Sequence, residues 1–267
     1  MSAPLPAAFA AFDPGAMLAP HVAEALWRGT EVNASAVRTV RTGFDALDAQ
    51  LPGGGWPTHS LTEVLTPQAA FCEWRLLGRS LPALMQDGGR LYLIAPPKQP
   101  HAGGLAQLGV TAEQVLWIDA SKPVDRLWVT EQILKSGPAG AVLAWLPQAR
   151  PEQLRRLQIH AQSCDAPVFL FRPLATLVDA SPAPLRITVT PAQGWDLEVR
   201  IAKRRGSCLD ESLYLPAMPG NLADVIPPRL HTVPAAPAVA PSREEASHAR
   251  ALGRIAPPAA ARVPVSH

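Results

Sequence analysis

Two stretches of the sequence have the position or the composition of a phosphate-binding loop. Residues 52–55 read Pro-Gly-Gly-Gly, and glycine backbone can approach a phosphate closely. A phosphate loop must follow a strand and open a helix, so that amide N–H groups converge on the anion. These glycines instead precede the apolar segment 60–65 and are followed by Trp56 and Pro57. We therefore predict a surface turn at residues 52–55.

Residues 66–73 follow that apolar segment and precede a helical pattern, which is where a phosphate loop belongs. They read Thr-Pro-Gln-Ala-Ala-Phe-Cys-Glu, with neither glycine nor lysine. Without the lysine there is no cation for the β and γ phosphates, and no hydroxyl stands at the end of the loop for Mg²⁺. Glu73 would repel a triphosphate. We predict that the chain is not an enzyme, with no catalytic residue and no cofactor.

Metal and disulfide chemistry have no support in the sequence. Cys72, Cys164 and Cys208 lie far apart and form neither a metal quartet nor a disulfide framework. The seven histidines include no His-x3-His pair and no HExxH motif. We predict reduced thiols and no metal site.

Two basic clusters are the candidate contact residues for DNA or a partner. Lys203, Arg204 and Arg205 follow the last predicted strand, where they can meet phosphates or a protein surface, or simply be solvated. No aromatic residue stands next to them to stack on a single-stranded base. Arg155 and Arg156 form a second patch on a predicted helix, and such a charge pair is usually a solvated face.

The elements that must position these residues follow from hydrophobic periodicity. Unbroken apolar runs predict strands buried on both faces of a parallel sheet, and they occupy residues 91–95, 115–118, 141–146 and 168–171. Helical spacing predicts helices over 69–86, with a kink at Pro82, over 121–136 and over 151–163. Period-two alternation over 187–201 predicts a hairpin. The fold class is α/β, a mostly parallel sheet flanked by helices with a C-terminal antiparallel hairpin.

Composition divides the 267 residues into three parts. Ten of the 30 prolines lie between Pro216 and the end, a segment without aromatic residues, so we predict a disordered Pro/Ala-rich tail over 216–267. Residues 1–29 form an N-terminal segment with a short helix, and 30–215 form the domain. No apolar run approaches the roughly 18 residues of a membrane span, and the N-terminus lacks a basic signal region. We predict a cytoplasmic protein without a membrane partner.

Three stretches resemble the start of the core of RecA-type recombinases: residues 42–48, 51–57 and 61–65. The resemblance implies a RecA-like core in which Cys72 takes the place of the ATP-binding lysine and Glu73 that of the Mg²⁺-binding threonine. Pro97 and Trp145 then stand where the recombinases keep acidic residues at strand ends. The resemblance therefore agrees that the ATP site is lost.

The sequence resembles the ImuA family of RecA-like translesion-synthesis proteins more closely, over roughly residues 25–215. The stretches that carry this resemblance are 51–57, 95–97, 136–137 with 141–147, 149–157, 170–173 and 202–206. It implies a non-catalytic accessory role in SOS-induced mutagenic DNA synthesis. The partners it implies are an ImuB-type Y-family-like protein and an error-prone DNA polymerase subunit, with RecA and single-stranded DNA as further candidates.

Two alternatives stay open at this point. The cell-division inhibitor SulA resembles the same RecA-like core in reduced form, and a SulA-like chain would bind the tubulin-like division protein instead of a polymerase factor. The second alternative is a noncanonical ATPase in which unfamiliar residues replace the lost loop. Partner capture distinguishes the first alternative, and calorimetry with ATP and Mg²⁺ distinguishes the second.

Overall fold

The computed structural model describes residues 38–206, 211–218 and 222. Its strands are β1 (Thr39–Val40), β2 (Trp56–Pro57), β3 (Leu61–Thr66), β4 (Arg90–Ile94), β5 (Val115–Ile118), β6 (Gly140–Trp145), β7 (Val168–Pro173), β8 (Leu185–Pro191), β9 (Asp196–Lys203) and β10 (Leu213–Pro216). Its helices are α1 (Asp45–Asp48), α2 (Glu73–Leu77), α3 (Leu81–Leu84), α4 (Ala102–Gln107), α5 (Pro123–Lys135) and α6 (Pro151–Ala161), with 3₁₀ turns at Gln86–Gly88, Ala112–Gln114 and Leu174–Val178.

Eight of these strands form one mixed sheet, in the order β10-β9-β8-β3-β7-β6-β4-β5. The six strands from β3 to β8 run parallel, whereas β9 pairs antiparallel with both β8 and β10. β1 and β2 form a separate antiparallel pair. The predicted fold class is confirmed, including the C-terminal hairpin, to which β10 adds a further strand.

Apolar cores cover both faces of the large sheet. One core lies on the side of α1 to α4, and the other lies beneath α5 and α6. All six positions of β3 are buried, as expected for a strand between two helical layers. The same expectation is wrong for residues 115–118, where Leu116 is 39% and Trp117 45% exposed. Among the strands that the structure describes, β5 pairs only with β4 and is therefore an edge strand.

The helix predictions hold for α5 and α6 and are wrong for residues 69–86. That segment contains two short helices, α2 and α3, separated at residues 78–80. Pro82 lies in the first turn of α3, where its missing N–H needs no partner, so it begins a helix instead of kinking one. The Ser80 hydroxyl donates to the Leu77 carbonyl at 2.7 Å and closes the end of α2.

A buried ion cluster joins three neighbouring strands. Glu63 of β3 accepts from Arg172 of β7 at 2.9 Å and from Arg186 of β8 on its other oxygen. Arg186 also donates to the carbonyl of Thr176 at 2.9 Å and to that of Asp179 at 3.1 Å. The cluster thereby holds the turn after β7 against the sheet.

Several predictions fall on residues outside the described ranges. The short helix within residues 1–29 is one, and the tail after Met218 is another, apart from Leu222. Within the described part, β10 includes Pro216, and Ala217 is 2% exposed. No helix in that part of the chain is long and apolar enough to cross a membrane.

Candidate functional site

The loop between β3 and α2 has the geometry of an anion cradle. Ala70 has a φ of 64°, a left-handed conformation that residues other than glycine rarely adopt. Successive N–H groups in such a turn converge on a bound anion. Here the Ala70 N–H donates to Glu73 Oε1 at 2.7 Å and the Cys72 N–H to Oε2 at 3.0 Å. The anion in the cradle is the carboxylate of the chain's own Glu73.

A third donor reaches this carboxylate from the neighbouring part of the sheet. The indole Nε1–H of Trp145, the last residue of β6, donates to Glu73 Oε1 at 3.1 Å. The Trp145 ring stacks on Phe171 with a centroid distance of 4.8 Å, which fixes its orientation. Glu73 is 1% exposed and lies in the first turn of α2, where the helix favours negative charge. Glu73 is thus held as a buried internal anion.

The position that the resemblance gives to the ATP-binding lysine carries no charge. Burial raises the pKa of the Cys72 thiol to about 11, with Arg75 opposing the shift and Glu73 adding to it. Cys72 is therefore a neutral thiol near pH 7. The cradle has a carboxylate in the anion position and no cation in the lysine position.

A basic cavity lies at the opposite end of the parallel strands, beside the start of β3 and β8. Its volume is about 250 Å³. Its apolar walls are formed by Pro52, Pro57, Pro184 and Leu185, and its basic side chains are Arg38, His59, Arg204 and Arg205. We call this feature the basic cavity.

Local backbone geometry positions His59 in the basic cavity. Its φ is 55°, and its N–H donates to the Cys164 carbonyl at 3.0 Å. The ring Nδ1 lies 3.1 Å from the Gln162 carbonyl oxygen, and Nε2 lies 3.2 Å from Asp165 Oδ1. Asp165 also pairs with Arg38 Nη1 at 3.3 Å. A carboxylate therefore stands beside two of the cavity's basic groups.

The structure separates the predicted triplet of cations. β9 ends at Lys203, so strand alternation does not extend to Arg204 and Arg205, and both line the basic cavity. Arg204 donates to the carbonyl of Gln50. Lys203 turns away and donates to the Ser181 carbonyl at 2.8 Å.

Arg155 and Arg156 are not part of the basic cavity. Both are exposed on α6. Arg156 pairs with Glu131 of α5 at 3.2 Å. Glu131 also accepts from Lys135, and that hydrogen bond is the largest contribution lowering the pKa of the Glu131 carboxyl. Arg156 thus belongs to an ion-pair network between α5 and α6, whereas Arg155 is exposed without forming part of it.

Sequence reasoning missed three residues beside the cavity and the role of Glu73. Arg38, His59 and Asp165 are brought together from distant segments, so no local spacing signals them. Glu73 carries a readable signal, because an acidic residue in the first turn of a helix is stabilised by the backbone N–H groups there. From the sequence alone, we interpret Glu73 only as a group that repels phosphate.

Comparison with known proteins gives a partial similarity. The cell division inhibitor SulA of Photorhabdus laumondii subsp. laumondii is 29% identical over 96 residues, which cover 35% of this chain and 54% of that protein. The SulA of Serratia marcescens is 28% identical over 96 residues, or 35% of this chain and 57% of that protein. The chain thus spans about half the length of these curated relatives. No protein-family model matches it.

Proposed function

We propose that this chain is a non-catalytic RecA-like accessory protein of SOS-induced mutagenic translesion DNA synthesis, acting through contacts with other proteins. The resemblance of its sequence stretches to the ImuA family supports this role. The partial similarity to SulA supports the SOS context. The partners proposed are an ImuB-type Y-family-like protein and an error-prone polymerase subunit, with RecA as a third.

The Glu73 carboxylate is the observation that carries the non-catalytic part of the proposal. A nucleotide phosphate in this loop would have to displace a buried carboxylate that accepts hydrogen bonds from Ala70, Cys72 and Trp145. If the carboxylate stayed nearby, two anions would share a site with the neutral Cys72 thiol in place of a lysine. Both arrangements disfavour ATP, which supports a role in binding over a role in catalysis.

A SulA-like inhibitor of cell division is the second candidate. The observation that favours it is the similarity over 96 residues to two SulA proteins. That similarity covers 35% of this chain, whereas the ImuA-type stretches extend over roughly residues 25–215. The two candidates differ in their partner, since the inhibitor binds the tubulin-like division protein.

Partner capture from DNA-damaged cells tests the proposed function. The full chain carries an N-terminal tag and is expressed in cells with and without DNA damage. It is purified at moderate ionic strength, and the bound proteins are identified by mass spectrometry. We expect enrichment of the ImuB-type protein and the polymerase subunit over a tag-only control. Enrichment of the tubulin-like division protein without any polymerase factor would contradict the proposal and favour the SulA-like candidate.

A further inference from the structure

We propose that the basic cavity is a docking site for an acidic peptide segment of a partner. This inference rests on the proposed function, because that function works through protein contacts. The segment would place one apolar side chain between the proline walls and its carboxylates on the surrounding arginines. Four observations support this assignment: the size of the cavity, the chemistry of its walls, its charge and the carboxylate that already lies beside it.

The size and walls of the cavity suit a single apolar side chain. Pockets for small molecules and cofactors usually enclose roughly 300–1,000 Å³. The basic cavity encloses about 250 Å³, and its walls include Pro52, Pro57, Pro184 and Leu185. Rigid apolar walls around a space of this size match the pockets that anchor one side chain of a bound peptide.

The carboxylate of Asp165 shows which ligand chemistry these basic groups accept. Its Oδ1 lies 3.3 Å from Arg38 Nη1 and 3.2 Å from His59 Nε2. The side chains of Arg38 and Asp165 are 77% and 72% exposed. Exposed ion pairs of this kind contribute little to stability, so a carboxylate of a partner can displace Asp165 at small cost.

The remaining cations face the cavity from the end of β9. Arg205 is exposed, lines the cavity, and has no hydrogen bond or ion pair among the residues that the structure describes. A guanidinium binds a carboxylate through two parallel N–H donors, which makes arginine well suited to acidic partners. Arg204 is oriented by the Gln50 carbonyl. The charge of the cavity is therefore complementary to an acidic segment.

The lining argues for a peptide over a single-stranded nucleic acid. Sites for single strands combine cations with aromatic rings on which bases stack. Among the described residues, none that lines the basic cavity is aromatic apart from the His59 imidazole. Trp56, next to Pro57 in sequence, is fully buried and packs edge-on against Phe169 at 5.2 Å. It cannot serve as a stacking surface without leaving the core.

Fluorescence anisotropy of the full chain tests the proposal at low salt with three labelled probes. The first is a ten-residue peptide of aspartate and glutamate with one central leucine, the second has serine in place of the leucine, and the third is a twelve-residue oligothymidine. We expect the leucine peptide to bind about fivefold more tightly than the serine peptide, because only the leucine fills the apolar space. Binding of the leucine peptide should exceed that of oligothymidine.

Variants locate the binding. Arg205→Gln should weaken binding of the leucine peptide about fivefold, and Asp165→Asn should strengthen it about threefold by removing the internal competitor. Arg155→Gln is the matched control, an exposed arginine on α6, and should change nothing. Both site residues are exposed, so the melting temperature should stay constant and confirm that each variant folds.

Three results would overturn the docking site. The first is that the leucine peptide shows no saturable binding. The second is that Arg205→Gln and Arg155→Gln change its affinity equally. The third is that oligothymidine binds more tightly than the peptide and that this binding depends on Arg205. The last result would assign the cavity to nucleic acid. None of these results depends on whether polymerase factors are captured from DNA-damaged cells. Failure of the docking site and failure of the proposed function are therefore separate outcomes.

Discussion

Replacing Glu73 with alanine is expected to lower the free energy of unfolding by about 2–6 kcal/mol, and inorganic phosphate should restore part of that loss. The change removes the acceptor for the Ala70 N–H, the Cys72 N–H and the Trp145 indole N–H. Two of these donors, the Cys72 N–H and the Trp145 N–H, form buried hydrogen bonds, and leaving a buried donor unsatisfied costs about 1–3 kcal/mol for each group. The emptied cradle then offers these donors to an external anion, and an anion that binds only the folded state stabilises it.

Urea denaturation in chloride and in phosphate at matched ionic strength measures both effects. Glu152→Ala is the matched control, because Glu152 is also an acidic residue in the first turn of a helix but is exposed, and its loss should stay below about 1 kcal/mol. A Glu73→Ala loss no larger than that of the control would contradict the assigned role. So would an equal response of wild type and variant to phosphate.

Replacing Glu63 with alanine should cost about 3–5 kcal/mol of the free energy of unfolding. Glu63 is fully buried and is the shared carboxylate partner of Arg172 and Arg186. Removing one member of a buried ion cluster leaves the opposite charges uncompensated in the protein interior, which is among the largest single-residue effects. The turn after β7, which Arg186 holds through the Thr176 carbonyl, should lose hydrogen-exchange protection in the same variant.

Asp179→Asn serves as the control for this cluster. Asp179 Oδ2 lies 3.6 Å from Arg172 and its side chain is 46% exposed, so solvent screens the pair. We expect a loss below about 1 kcal/mol from this change. Equal losses in Glu63→Ala and Asp179→Asn would show that the buried cluster is not the main contributor.

The fold class could be predicted because strands buried on both faces and strands buried on one face have different patterns of apolar residues in the sequence. Unbroken apolar runs predict β6 and β7, and alternating apolar residues predict β8 and β9. The order of strands in a sheet leaves no such mark. Residues 115–118 read as a central strand, yet β5 lies at the edge.

The candidate sites were predictable only where their residues are neighbours in sequence. Arg204 and Arg205 follow one another at a strand end, and both line the basic cavity. Arg38, His59 and Asp165 come from three distant segments and meet only through the fold. The composition of residues 66–73 predicts that this loop lacks the groups for ATP chemistry, but composition alone cannot show that the buried Glu73 carboxylate accepts the N–H groups of the loop.

Isothermal titration calorimetry of the full chain with ATP and Mg²⁺ tests most directly the claim that Glu73 occupies the anion position of this loop. We predict no saturable heat at millimolar nucleotide and no release of phosphate, because the donors of Ala70 and Cys72 are already bonded to Glu73. Saturable binding of ATP with a micromolar Kd, abolished by a substitution at Cys72 or Glu73, would contradict that claim and establish the noncanonical ATPase in its place.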